Sequence, residues 1–256
     1  MQNDSLVLIV TGASAGIGRG IVLEAIKNGA RVIGCSRTEE KLKALKNEVL
    51  HQGYSADVFN YVAGDTADKD VTTATIEKAI ELYGHIDVLV NNAGDYFSDT
   101  SLSGPIAKTN LDDFTSVNVF ATLFWTQTAL PHLKKVNGKV INISSVNSVH
   151  PTQNNAALNM LTAVLAEEEK DIQTIAICPG PVYTEALERL FASPDATPQI
   201  KERREKYTIE ELRKNIFEPE DTGYFIWRLI TNFPTEFNGK FVPHSEPSLA
   251  KYHRKQ

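Results

Sequence analysis

From Leu6 to Ile177 the chain alternates between short, almost unbroken apolar runs and longer segments whose apolar residues recur at helical spacing. Leu6-Val7-Leu8-Ile9-Val10 opens the series and stops at Thr11-Gly12, the pattern of a central parallel strand covered on both faces. Gly18 to Asn28 follows as a helix with Ile21, Val22, Ala25 and Ile26 on one face and Gly29 as its stop. Next come a strand at Arg31 to Cys35, a charged helix capped by Thr38 and reaching about Gln52, and a strand over Ser55 to Val62. The alternation continues with a helix from Thr75 to Tyr83, a strand from Ile86 to Val90, and a long helical pattern from Leu111 to Leu133. Lys139 to Ile143 reads as a strand, Ala156 to Glu168 as a helix and Ile172 to Ile177 as a strand. The final quarter changes texture: Glu185 to Phe217 is charged and helix-prone, Pro219-Glu220-Asp221 opens another helix, and Gly239 to Val242 predicts a last strand. Such alternation predicts an α/β fold with a doubly wound parallel sheet and ligands at the carboxyl ends of its strands. No internal repeat, low-complexity tract or linker divides the chain, so residues 1–256 read as one domain.

Candidate chemistry sits at those strand ends. Thr11-Gly12-Ala13-Ser14-Ala15-Gly16-Ile17-Gly18 joins the first strand to the first helix, the setting of a glycine-rich phosphate loop of the Rossmann type. Gly12 permits a tight turn, Gly16 lets backbone approach a pyrophosphate, and Gly18 lets the helix pack on the sheet. After the second strand, where an acid would meet an adenosine ribose, the chain has Cys35-Ser36-Arg37. Arg37, with the Ser36 hydroxyl, suits a 2′-phosphate, which favours NADP over NAD.

Composition narrows the field further. A formal charge of −6 argues against nucleic-acid or polybasic membrane binding. No basic leader precedes Leu6, no apolar run approaches the ~20 residues that span a bilayer, and Cys35 and Cys178 suit reduced packing residues. A cytoplasmic protein is the expectation. His51, His85, His132, His150, His244 and His253 are scattered without metal-ligand spacing, so no metal is expected. The chain lacks a Gly-x-Ser-x-Gly elbow and a P-loop lysine, which argues against a hydrolase or a nucleoside triphosphatase.

Thr11-Gly12-x-x-x-Gly16-x-Gly18 and Asn91-Asn92-Ala93-Gly94 together resemble the short-chain dehydrogenase/reductase family. The resemblance continues through Gly64-Asp65, Asn118 in Phe114-Thr115-Ser116-Val117-Asn118, Ile143-Ser144-Ser145 and Pro179-Gly180-Pro181-Val182-Tyr183-Thr184, and spans about residues 6 to 243. Within the family, the segment Leu187 to Phe217 and the ending Asn238-Gly239-Lys240-Phe241 are similar to fungal benzil reductase-like carbonyl reductases. The resemblance implies an NADP-dependent reduction of a small ketone or dicarbonyl by a homodimer or homotetramer. By position, Thr11, Gly12, Ser14, Gly16, Ile17 and Gly18 would hold the cofactor phosphates, and Ser36 and Arg37 the 2′-phosphate. Asp65 would meet the adenine amine, Asn92, Ala93 and Gly94 would floor the groove, and Pro179, Gly180, Val182 and Thr184 would surround the nicotinamide. Ser145 would hydrogen-bond the substrate carbonyl, and Asn118 would hold a backbone kink and a water in the proton relay. A lid over 185–217, lined by Leu187, Leu190 and Phe191, would cover the substrate.

The pattern breaks at one place. The family's Tyr-x-x-x-Lys pair, which supplies a proton to the carbonyl oxygen, should follow the serine by about a dozen residues. Here Ser145 leads through Val146 to Asn155 directly into Ala156-Ala157-Leu158-Asn159, with neither tyrosine nor lysine between. The resemblance implies that a block is missing in frame, by deletion or by an artefact of gene prediction or splicing. His150 and Tyr183 are weak substitutes, the first an ordinary loop histidine, the second without a lysine at helical spacing. The break leaves a second reading open: an inactive NADP-binding homologue acting as a sensor or oligomer partner.

Overall fold

The computed structural model describes residues 5–94, 112, 115–145, 156–192, 198–206, 208–214 and 216–254. Its strands are β1 (Val7–Thr11), β2 (Arg31–Ser36), β3 (Phe59–Ala63), β4 (Val88–Asn91), β5 (Lys139–Ile143), β6 (Gln173–Cys178) and β7 (Phe241–Pro243). They form one parallel sheet in the order β3-β2-β1-β4-β5-β6-β7. The chain winds outward from β1 to β3 and then returns to lay β4 on the other side of β1. The expected doubly wound sheet is therefore present, with its switch point between β1 and β4.

The helices among the described residues are α1 (Gly16–Lys27), α2 (Glu39–His51), α3 (Lys69–Tyr83), α4 (Thr122–Leu133) and α5 (Ala156–Glu168). They continue with α6 (Glu185–Ala192), α7 (Pro198–Lys206), α8 (Ile209–Arg213) and α9 (Pro219–Thr231). Because side chains alternate along a strand, Leu8 and Val10 of β1 face one core while Ile9 faces another. The first core takes α1, α2 and α9, with Ile21, Val22, Leu42, Phe225 and Ile226 buried. The second takes α3, α4 and α5, with Ile76, Trp125, Leu133 and Leu165.

Two glycines bring α1 and α9 into backbone contact. A Cβ on Gly20 would lie 2.1 Å from the Pro219 carbonyl oxygen, and one on Gly223 would lie 2.2 Å from that of Gly20. Beside this contact, the buried Glu24 carboxylate meets Arg254 at 3.2 Å, and Arg254 also reaches Asp221 at 3.1 Å. The C-terminal segment is thus tied down onto α1 and α9.

Several expected boundaries move. α1 begins at Gly16, two residues before the expected Gly18, because the glycine loop itself forms its first turn. α3 begins at Lys69 instead of Thr75, started by the Asp68 carboxylate, which accepts from the Asp70 N–H at 2.9 Å. β3 spans Phe59–Ala63 instead of Ser55 to Val62. Thr38 stands at the N-terminus of α2 but its side chain makes no capping bond. The described part of the pattern from Leu111 to Leu133 resolves into a π-helical turn at Ser116–Ala121 followed by α4. Leu111, Asp113 and Phe114 lie outside the described residues. Among the described residues, no helix is long and apolar enough to cross a membrane.

Candidate functional site

The carboxyl ends of β1 and β4 are laced together by Thr11 and Asn92. Thr11 Oγ1 accepts from the N–H groups of Asn92 and Ala93 at 3.0 and 2.9 Å. Asn92 Nδ2 returns a bond to the Thr11 carbonyl at 2.9 Å and lies 3.3 Å from that of Gly12. The glycine loop is held so closely here that a Cβ on Gly18 would stand 2.2 Å from the Gly12 oxygen and 2.5 Å from Asn92 Nδ2. Gly16, at φ +52°, faces Thr184 across the groove, and a Cβ there would be 3.0 Å from the Thr184 methyl.

Ala15, at the N-cap of α1, offers no side chain to the first helical N–H groups. An uncapped helix start behind a backbone with no room for side chains fits the pyrophosphate of a dinucleotide. The residues present therefore suit the group that the sequence implies. Ser36 is buried and its Oγ accepts from the Ser14 N–H at 3.1 Å, joining the end of β2 to the loop. Beside it Arg37 is exposed and makes no hydrogen bond or ion pair among the described residues. Asp65 is exposed at the end of the β3 connection, with Oδ1 turned back to the Ala67 N–H at 2.9 Å. Gly64 N–H reaches the Ser36 carbonyl at 3.0 Å, so Asp65 and Arg37 share one edge of the groove.

Around the loop lies a cleft of about 480 Å³, lined among others by Ser14, Gly16, Lys41, Tyr183, Thr184 and Glu185. Lys41 of α2 and Glu185 of α6 bridge it at 2.5 Å, and the lysine holds the Glu185 carboxyl below the usual carboxylate range. Neither residue stands out in the sequence, because their meeting depends on the start of α6 coming beside α2. The segment 185–217 leaves and rejoins the body at one point. Val182 bridges to Phe217, Tyr183 N–H donates to the Phe217 carbonyl at 2.8 Å, and Phe217 N–H donates to that of Pro181 at 3.0 Å. Leu187 and Phe191 are half-buried on α6; the Leu190 side chain lies outside the described residues.

On the substrate side, Ser144 and Ser145 emerge from β5. The Ser144 hydroxyl donates to Asn159 Oδ1 of α5 at 2.9 Å, and Ser145 is half-buried beside it. Asn118 is buried within the π-helical turn, its Oδ1 facing Gly94, where a Cβ would lie 3.4 Å away. The backbone kink expected at Asn118 is therefore a widened helical turn.

Below these residues runs a polar ladder that the apolar strand pattern concealed. Asn91 and Asn142 are register partners on β4 and β5, and Asn91 Nδ2 donates to Asn142 Oδ1 at 2.8 Å. Asn142 Nδ2 donates to Thr162 Oγ1 of α5 at 2.8 Å, while Asn91 Nδ2 also meets Thr126 Oγ1 of α4 at 3.2 Å. Two asparagines inside otherwise apolar runs were the available signal.

Tyr183 is engaged by its own segment. Its hydroxyl donates to the Glu188 carboxylate, which pushes the phenol above its ordinary range, and the Arg213 guanidinium lies 4.2 Å from its ring centre. His150 and the rest of 146–155 lie outside the described residues. Cys35 and Cys178 are buried and form no disulfide, and burial pushes the Cys35 thiol up to about 12. A thiol reagent at neutral pH will therefore leave Cys35 unmodified until denaturant is added, as mass spectrometry can check. Among the described residues no cluster of histidine, cysteine or acidic side chains could hold a metal.

Comparison with known proteins agrees with this geometry. Residues 6–195 match the short chain dehydrogenase family. An uncharacterized oxidoreductase of Saccharomyces cerevisiae is 28% identical over 96% of this chain and 98% of its own length. The L-fucose dehydrogenase of Bos taurus is 34% identical over 77% of this chain and 73% of its own. The crystal structure of a short-chain dehydrogenase/reductase from Saccharomyces cerevisiae superposes with a TM-score of 0.86 at 28% identity, covering 98% of this chain and all of the other. A glycine loop laced to Asn92, a serine pair at the end of β5 and a sheet of this order have the same explanation as the matches: the chain belongs to the short-chain dehydrogenase/reductase family of oxidoreductases, which bind a nicotinamide cofactor.

Proposed function

We propose that this protein is built as an NADP-dependent oxidoreductase for a small ketone or dicarbonyl, and that the sequence as written lacks the group that protonates the carbonyl oxygen. The observation that carries the cofactor reading is the end of β2, where a buried Ser36 is bonded to the glycine loop and Arg37 stands exposed beside it with no acid in the ribose position. An exposed guanidinium with no partner there can form charge-assisted bonds to a 2′-phosphate.

The cofactor, when bound, supplies a hydride to the carbonyl carbon. Ser14, Gly16, Ile17 and Gly18 would receive its phosphates, Asp65 the adenine, Asn92, Ala93 and Gly94 its underside, and Pro179, Gly180, Val182 and Thr184 the nicotinamide end. Ser145 would donate to the carbonyl oxygen as charge develops there, held in place by the β5–α5 contacts of its neighbour Ser144. Asn118 would hold the backbone kink at the π-helical turn and a water in the proton relay. The segment 185–217 would close over the substrate, with Leu187 and Phe191 as apolar lining. We place this activity in the cytoplasm and expect a homodimer or homotetramer.

A second reading, a cofactor-binding sensor or oligomer partner without turnover, is favoured by one observation: residues 146–155 contain neither tyrosine nor lysine. Arg37→Asp tests the cofactor choice independently of turnover. It will weaken NADPH binding by about tenfold or more while leaving NADH nearly unchanged, since a hydrogen bond to a charged group contributes about 1.5–3 kcal/mol. A fluorescence titration reads both affinities, and equal NADPH affinity in the variant removes the 2′-phosphate assignment.

A further inference from the structure

The loop that leaves β6, residues 179–184, is gripped from behind by residues distant in sequence. β7 pairs with β6, and the His244 N–H just beyond it donates to the Cys178 carbonyl at 2.8 Å. Gly180 has φ +79°, and the His244 imidazole fills the space where a side chain would start: a Cβ there would lie 2.4 Å from Nε2 and 2.5 Å from Cδ2. Phe217, bonded to Pro181 and Tyr183 through its backbone, meets the His244 ring edge-on at 4.9 Å. The His253 ring stacks on Phe217 at 5.7 Å and on the buried Phe225 of α9 at 4.3 Å, in the latter case within 9° of parallel. His253 Nε2 donates to the His244 carbonyl at 3.0 Å, and the two imidazole centres are 5.7 Å apart. A column of rings thus runs from α9 through both histidines to the hinge of the loop that carries Thr184.

We propose that His244 and His253 form a pH-sensitive clamp on residues 179–184, with His244 the positioning residue for Thr184 and for the nicotinamide end of the groove; the last clause rests on the cofactor reading above. Burial, and then the proximity of His253, hold His244 below the ordinary imidazole range, so the ring is neutral at neutral pH. Other titratable or charged groups stand on every element packed around the pair: Cys178 on β6, Tyr183 in the loop, Glu218 before α9, Asp221 and Tyr224 on α9, and Glu246, Tyr252 and Arg254 in the C-terminal segment. Glu218 is engaged by Arg213, Asp221 by Arg254, Tyr183 by Glu188 and Tyr252 by the Asn232 carbonyl.

The folded state resists protonation of His244, so its contribution is complete above the ordinary imidazole value and is lost as pH falls below it. Acidification puts a cation against Phe217, Gly180 and the second imidazole, and the clamp opens.

Amide hydrogen exchange on the cofactor-free protein tests this directly, read at Tyr183, Phe217 and His244 with strand β1 as the internal reference. Between about pH 7.5 and about pH 5.5, after correction for intrinsic rates, the wild-type loop will lose about fivefold or more of its protection, and His244→Gln will show no such loss. Unchanged wild-type protection, or the same loss in the variant, overturns the proposal. Should His244→Gln fail to fold, the unmodified protein still decides: in proton NMR the His244 ring must titrate with the same midpoint as the loop opens, and two separate midpoints overturn the clamp. NADPH titration over the same range separates the two readings. A loop that opens as described in a protein that binds NADPH at no pH keeps the clamp and removes the cofactor role, whereas NADPH binding with a pH-indifferent loop does the reverse.

Discussion

Given NADPH and a small diketone, the chain as written will consume cofactor at the background rate, and a variant with a block ending in Tyr-x-x-x-Lys inserted between Asn155 and Ala156 will turn over about 10²- to 10⁴-fold faster. That range is what a positioned general acid contributes. The expectation rests on two facts: Tyr183 is bonded to Glu188, and the sequence between Ser145 and Ala156 holds no lysine or tyrosine. Absorbance of NADPH follows the reaction, and Ser145→Ala in the inserted variant should return the rate toward background. Rapid reduction by the unmodified chain would show that another group donates the proton. Tight NADPH binding without turnover in both forms would leave the sensor reading standing.

Gly20→Val will destabilise the protein by about 3 kcal/mol or more, at the upper end of what overpacking costs. Most overpacked sites relax because a neighbouring side chain can turn away. At Gly20 the obstacle is the Pro219 carbonyl at 2.1 Å, and the reciprocal contact of Gly223 with the Gly20 carbonyl leaves α1 and α9 no side chain to displace. The helices must separate and open the core that holds Ile21, Phe225 and Ile226. Urea denaturation will show it as a lowered midpoint with an unchanged slope, and a midpoint near wild type would contradict the contact.

The elements that sequence reasoning placed well are those whose burial is written in apolar residues. β5 and α5 occupy the expected Lys139–Ile143 and Ala156–Glu168, and β1 moves by one residue. The six residues of α3 before Thr75 are not legible because they are mostly polar, carry no periodicity, and start from the Asp68 cap. β3 was extended too far toward Ser55 because Tyr54 and Val58 pack against the core from a loop, which mimics a strand in an apolar pattern. The glycine loop, Asn92 and Ser36 were legible because a short motif places them all at adjacent strand ends. The Asn91–Asn142 pair, the Lys41–Glu185 bridge and the His244–His253 pair were not, since each depends on which strands or helices become neighbours. The spacing of the histidines along the chain is silent about ring packing.

The contacts of α5 with β5 carry a consequence for how this chain tolerates change. Ser144 and Asn142, two apart on the strand, bond to Asn159 and Thr162, three apart on the helix, so the helix takes its register from its own side chains. The span that joins them need only be long enough to reach. Loop-closure entropy rises slowly, by about 0.6 kcal/mol for each doubling of length. The length of chain before Ala156 therefore has little bearing on that register: the connection can lose or gain several residues while the scaffold on either side keeps its alignment.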